Sequence, residues 1–121
     1  MIQQISWLGL VVKDIPAATE FYTQKLGLRL DEKESIPNFY SQFVTEGGAI
    51  LGLINGFEQE GIHQPFDTAL MVADADAVYQ QWQTAGVTMV GEPHDMPFGR
   101  TFLFRTPDNH TLRVIGRPSV N

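Results

Sequence analysis

Residues 101–116 read TFLFRTPDNHTLRVIG, and an imperfect copy stands at residues 40–55, YSQFVTEGGAILGLIN. A shift of 61 places sets Phe43 on Phe104, Thr45 on Thr106, Gly48 on Asn109, Leu51 on Leu112, Leu53 on Val114 and Ile54 on Ile115. In each copy two apolar runs flank a turn. Gly47-Gly48 and Asp108-Asn109 tolerate positive φ and local side-chain hydrogen bonding, and the flanking β-branched and aromatic residues favour extended chain. Each copy is therefore expected to be a β-hairpin.

The repetition continues upstream. Val12 and Asp14 align with Val72 and Asp74 at a shift of 60, and Gly27 aligns with Gly86 after one deleted residue. Apolar strand, Asp, amphipathic segment, Gly, apolar strand and hairpin thus recur in one order. The chain reads as one domain, residues 1–121, made of two repeats, 1–60 and 61–121, joined near Glu60 to Gln64.

In chain order, Ile5 to Val12 is expected to be a strand with Ile5, Trp7, Gly9 and Val11 on one side. Asp14 is an N-cap, Pro16 sits in the first helical turn, and Ala18, Phe21, Tyr22 and Lys25-Leu26 form a buried stripe that ends at Gly27. Phe21 and Tyr22 are read as core. Leu28 to Lys33 is a strand, Ser35 to Asn38 a turn, and Phe39 to Thr45 with Ala49 to Asn55 the first hairpin. The second half repeats the plan: strand Thr68 to Val72, cap Asp74, and a helix burying Val78, Gln81, Trp82 and Ala85. Gly86 closes it, Val87 to Val90 is a strand, Gly91 to Gly99 a loop, Arg100 to Gly116 the last hairpin and Arg117 to Asn121 a frayed tail.

Composition excludes several function classes. With 43% hydrophobic and 18% charged residues, 121 residues suffice for a real core. A formal charge of −6 with scattered Lys and Arg opposes a nucleic-acid partner. No apolar run approaches the ~20 residues of a membrane span, and the start MIQQISWLGLVVKD lacks the basic lead of a signal peptide, so no membrane partner and a cytoplasmic location are expected. Zero Cys fits that compartment and removes thiolate chemistry.

The segment VVKDIPAATEFYTQKLGL, residues 11–28, resembles the V-x-D-x-x-x-(S/A)-x-x-F-Y-x-x-x-L-G-(F/L/M) opening of the vicinal oxygen chelate superfamily, which holds glyoxalase I, extradiol dioxygenases and bleomycin-resistance proteins. TPDNHTLRVI, residues 106–115, is similar to the family's D-P-D-G-x-x-(I/L)-E-(L/V) close, departing at Thr106 and Asn109. The resemblance implies an α+β fold: two βαβββ modules forming an open, eight-stranded, cup-shaped sheet with helices outside, usually completed by pairing of modules within or between chains.

In the family's metalloenzymes four residues on the cup wall hold one divalent ion. Transferred residue by residue, those places fall on Trp7, Gly52, Asp67 and Arg113. Only Asp67 among them is a ligand, and an Arg stays protonated where the ion would sit, so no metal and no other cofactor is expected. A register off by one would instead bring in Glu46 or one of His63, His94 and His110, the three histidines being read as surface residues. Gly52 is expected to make room for the Trp7 indole across the cup floor, the alternative being that Trp7 is simply core, and Asp67 and Arg113 are expected to pair, the alternative being that Arg113 is a solvent-facing charge on a strand. The remaining wall is Tyr40, Gln42, Ala69, Met71, Leu103 and Arg105, with Phe98 and Arg100 at the rim.

Such a lining suits an aromatic small molecule. The chain is thus closest in character to the family's metal-free, bleomycin-resistance-like members, and binding without catalysis leads. The alternatives are a metal-dependent lyase, isomerase or dioxygenase, and a non-catalytic interaction module. Open sheet edges favour a homodimer.

Overall fold

The computed structural model describes residues 2–55 and 64–118. Its elements are β1 (Gln4–Val12), α1 (Ile15–Glu20) continued by a π-helical turn (Phe21–Lys25), β2 (Tyr40–Val44), β3 (Ile50–Asn55), β4 (Phe66–Met71), α2 (Ala75–Thr84), β5 (Thr88–Met96), β6 (Gly99–Arg105) and β7 (Thr111–Gly116).

The local signals of the repeat recur as matched geometry. Asp14 and Asp74 are extended, at φ −135° and −140°, and their carboxylates accept the N–H of Ala17 at 3.0 Å and of Ala77 at 3.1 Å. Each satisfies a donor that helix geometry leaves orphaned. Gly48 and Asn109 take positive φ, 97° and 69°, at equivalent places of the two hairpin turns. Both turns close alike: Thr45 N–H to Ala49 O and Gly48 N–H to Thr45 O in one, Thr106 N–H to His110 O and Asn109 N–H to Thr106 O in the other.

The strands form one mixed sheet in the order β2-β3-β1-β4-β7-β6-β5. β1 runs parallel to β3, β4 runs parallel to β7, and the antiparallel β1–β4 ladder at the centre joins the two halves within one chain. Both helices cover the same face. Under α1 lie Ile15, Phe43 and Leu53 with Leu10, Val12 and Tyr22; under α2 lie Val72, Val78, Tyr79, Phe102 and Val114, edged by Trp82 and Phe104. The α2 cluster is tied by edge-to-face ring contacts, Tyr79–Phe102 at 5.3 Å and Trp82–Phe104 at 5.0 Å. The opposite face of the sheet, called here the cup face, has no helix on it among the described residues.

Several expectations are corrected. The sheet has seven strands, because Leu28 to Lys33 contributes a single bridge, Leu30 to Phe43. The Ser35 hydroxyl accepts the Gln42 N–H at 3.0 Å and donates to Asp31 O at 2.7 Å, so a side chain stands where a ladder rung would be. Leu26 N–H reaches back five residues to Phe21 O, and the π turn leaves Phe21 49% exposed while Tyr22 stays in the core. On α2 the buried face is Ala75, Val78 and Tyr79, with Gln81 and Ala85 exposed. β5 continues to Met96 through the expected loop, since on an edge strand the missing N–H of Pro93 interrupts no ladder, and a bulge between Val90 and His94 absorbs the irregularity. A second bulge makes Ser6 an extra residue in β1, so Ile5 pairs with Leu70 on the helix side and parts from Trp7. Residues 56–63, with most of the expected joining segment and His63, lie outside the described residues, as do 119–121 of the tail.

Because the caps are local and lie in separate halves, Asp14→Ala and Asp74→Ala are each expected to cost ~1 kcal/mol in urea unfolding. The double variant should show their sum to within ~0.5 kcal/mol. A strongly sub-additive result would show that the two helix starts are not independent.

Candidate functional site

On the cup face, strand pairing sets two rows of residues across the sheet. Gln42, Gly52, Gly9 and Asp67 face one another in the first, and Trp7, Ala69, Arg113 and Leu103 in the second. The bulge at Ser6 comes directly before Trp7, where it steepens the local twist and re-aims the side chain. The indole then lies on backbone. A Cβ added at Gly9 would meet Trp7 Cη2 at 2.5 Å, and one added at Gly52 would meet Trp7 Nε1 at 2.7 Å and Tyr40 Cε1 at 2.7 Å. Only residues without a Cβ allow this approach. Gly52 was expected to admit the indole; Gly9 was missed, although its place two residues from Trp7 on the same strand face was legible.

A chain of hydrogen bonds fixes the indole in its plane. Trp7 Nε1–H donates to Tyr40 Oη at 3.1 Å, Tyr40 O–H donates to Gln42 Oε1 at 2.7 Å, and Gln42 Nε2–H donates to Asp31 Oδ2 at 3.4 Å. Burial pushes the Tyr40 hydroxyl above its ordinary pKa, the bond from Trp7 opposes that, and the charges of Glu34 and Asp31 add to the rise. The phenol therefore stays a donor to Gln42. Asp31 had no signal in the sequence, lying in a segment read as a regular strand.

In the second half, Asp67 and Arg113 are brought together as expected. Asp67 is 4% and Arg113 4% exposed, Arg113 Nη2 donates to Asp67 Oδ2 at 3.3 Å, and Asp67 Oδ1 accepts the Thr68 N–H at 2.8 Å. The half-exposed ring of Phe98 stands with its centroid 5.8 Å from Arg113 Cζ, within cation–π reach. Leu103 and Ala69 are buried beside this pair, Met71 is half-buried near Gln4, and Arg105 is half-buried at the β6–β7 turn.

Arg100 is not at the rim of the cup. It alternates with Leu103 and shares its side with Phe102 and Phe104, whose rings pack under α2, and its guanidinium bonds Asp76 of α2 at 3.2 and 3.3 Å and reaches Asp95 at 3.5 Å. Its pKa is raised, chiefly by the hydrogen bond to Asp76. The odd spacing from Gly99 should have placed it there: a residue at an even position of β6 faces the helix.

The donors at the four family positions do not fit a divalent ion. Trp7 and Gly52 offer no ligand atom, and the one carboxylate is engaged by a guanidinium. Among the described residues no three His, Cys, Asp or Glu side chains cluster as metal ligands. Glu46 and His110 are exposed, and the His94 ring, half-buried on β5, contacts Glu92 O at 3.0 Å. Nor is any described helix long and apolar enough to cross a membrane.

An α+β sheet whose two halves meet edge to edge, with helices on one face and an open, partly aromatic face on the other, defines a glyoxalase-like protein. The chain belongs to the Glyoxalase/Bleomycin resistance protein/Dioxygenase superfamily, whose family model matches residues 4–114. It is 26% identical to the phenazine antibiotic resistance protein EhpR of Enterobacter agglomerans, over 85% of this chain and 84% of that one. Among solved structures it is similar to one titled NAD-dependent benzaldehyde dehydrogenase from Legionella pneumophila, at 25% identity and a TM-score of 0.71 over 92% of this chain and 97% of the other. Methylmalonyl-CoA epimerase from Mycobacterium tuberculosis shares the fold at 18% identity and a TM-score of 0.74, over 98% and 90% of the two chains.

The buried ion pair makes a double-mutant cycle decisive. Asp67→Ala should destabilise the fold by ~3 kcal/mol by stranding the guanidinium, and Asp67→Ala/Arg113→Leu should recover most of that loss. Additive single effects in chemical denaturation would show the pair to be energetically uncoupled.

Proposed function

We propose that the chain binds an aromatic small molecule on the cup face without a metal ion and without transforming it, as in sequestration of a drug or secondary metabolite. The observation that carries this reading is the indole of Trp7 packed closely against Gly9 and Gly52 and hydrogen-bonded to Tyr40. Held so, the indole abuts the sheet, and the half-buried state of Trp7 leaves the residue open to a planar partner. Stacking there adds ~0.5 to 1.5 kcal/mol to the burial of the ligand itself. The similarity to a phenazine resistance protein supports a fused-ring heteroaromatic ligand.

Phenazine-1-carboxamide is a suitable first probe. Calorimetry should detect its binding, unchanged by a chelator, and Trp7→Ala should weaken it about tenfold or more while the thermal unfolding transition persists. If Trp7→Ala unfolds the protein, Trp7 is core and a collapsed interaction module becomes the better reading. If chelation abolishes binding, a metal-dependent enzyme of the same superfamily does.

The same reading includes a homodimer. Ile36, Phe39 and Val44, along the β2 edge of the sheet, are 57%, 64% and 48% exposed, apolar side chains on and beside an edge strand. Sedimentation at micromolar concentration should give a dimer, and Phe39→Glu should shift it to monomer; a wild-type monomer would remove the assembly and leave the cup.

A further inference from the structure

At the tip of the β6–β7 hairpin a cavity of about 260 Å³ is lined by Gln64, Arg105, Asn109, His110 and Thr111. Its wall is a built one. The Gln64 carboxamide bonds the Thr111 backbone in both directions, donating to Thr111 O at 2.6 Å and accepting Thr111 N–H at 3.0 Å. Asn109 is held in left-handed conformation at φ 69°, and the His110 ring rests edge-on against Phe66 at 5.8 Å.

The charge in this cavity is the unusual feature. The chain carries 14 acidic against 8 basic residues. Arg100 is nonetheless paired with Asp76 and Asp95, and Arg113 with Asp67, whereas the half-buried Arg105 has no carboxylate within ion-pair distance among the described residues. A partly desolvated guanidinium left without an internal anion, facing a cavity with an imidazole and carboxamides around it, is a receptor for an external one.

Its position relates it to the aromatic shelf. Gly52, Gly9 and Asp67 lie level across the sheet, Asp67 is level with Thr111 two residues before the Ala69–Arg113 pair, and Thr111 is opposite Arg105. From Gly9 to Arg105 is three strand spacings, roughly 14 Å along the sheet, which the two long side chains shorten from either end. The acidic residue on that path, Asp67, has its charge answered by Arg113 and so does not repel a second carboxylate. The cavity is also smaller than the ~300 to 1,000 Å³ of sites that take a whole drug-sized ligand, so it fits a substituent.

We infer that the Arg105 cavity is a carboxylate-binding subsite, and that the preferred ligands are aromatic acids, with the ring system on Trp7 and the carboxylate at Arg105. The inference rests on the shelf reading proposed above. The test compares phenazine-1-carboxylate with its neutral, near-isosteric carboxamide by calorimetry on the wild type, Arg105→Gln and Arg105→Lys. The acid should bind wild type about tenfold or more tightly than the amide, as one charge-assisted contact provides. Arg105→Gln should abolish that preference by lowering the affinity for the acid more than that for the amide, and Arg105→Lys should retain part of it. Equal binding of acid and amide to wild type, or a preference that survives Arg105→Gln, overturns the subsite and leaves the shelf standing. If neither compound binds, the shelf reading fails instead. Benzoate titrated against nitrogen-labelled protein then decides the subsite: saturable, Arg105-dependent shifts at the Thr106 to Thr111 amides sustain it, and their absence overturns it.

Discussion

The antiparallel ladder between β1 and β4 is the constraint on which everything else rests. It is the seam between the two halves, and its register sets Gly9 opposite Asp67 and Trp7 opposite Ala69. Side chains alternate with a period of two, so a slip of one residue would send Trp7 to the helix side and Leu8 to the cup face. The extra residue at Ser6 confines the irregularity to the strand's first turnless stretch, where Ile5 already leaves the cup face, and keeps the ladder from Trp7 to Leu10 in register.

With that seam in place the cup face divides into two electrostatic territories. The β1–β3 side is aromatic, organised by a donor–acceptor chain from indole to phenol to carboxamide to the Asp31 carboxylate. The β4–β7 side is charged but internally compensated, with Asp67 and Arg113 in contact and Phe98 over the cation. Where the family's metalloenzymes would converge four ligands, volume is exchanged in one half, a large ring for a missing side chain, and charge is exchanged in the other. Each exchange is complementary across the strands it joins. A buried pair of this kind contributes little net stability relative to an apolar pair of the same shape, yet strongly penalises loss of one partner. It therefore fixes the arrangement of the face more than it strengthens the fold.

The helix side shows the same economy of means. Arg100 bridges Asp76 on α2 and Asp95 on β5, anchoring the start of α2 to the β5–β6 edge at the surface, where salt screens it and the hydrogen-bond geometry matters more than the charge. Packing of Phe102 and Val114 against Val78 and Tyr79 carries the energy there, since each fully buried side chain of that size is worth ~1.5 to 3 kcal/mol of transfer.

The order of elements in the repeat could be read from local chemistry alone, because caps, turns and hairpins depend on neighbours within a few residues, and the cup-shaped sheet followed from the family resemblance that those motifs carry. Asp14 and Asp74, Gly48 and Asn109, and Gly27 and Gly86 each needed one φ or one hydrogen bond, and each residue type announces that need. The meeting of Asp67 with Arg113 and of Trp7 with Gly52 was also legible, as what the resemblance to the family's four wall positions implies. What the tertiary structure alone decided depends on pairing between distant strands. The bulge at Ser6, the conversion of Leu28 to Lys33 from strand to a hydrogen-bonded edge, the recruitment of Asp31 and the turn of Arg100 toward Asp76 all follow from register and from which edge is open. No local preference encodes those: the same residues would accept either face, and the face is chosen by the partner strand.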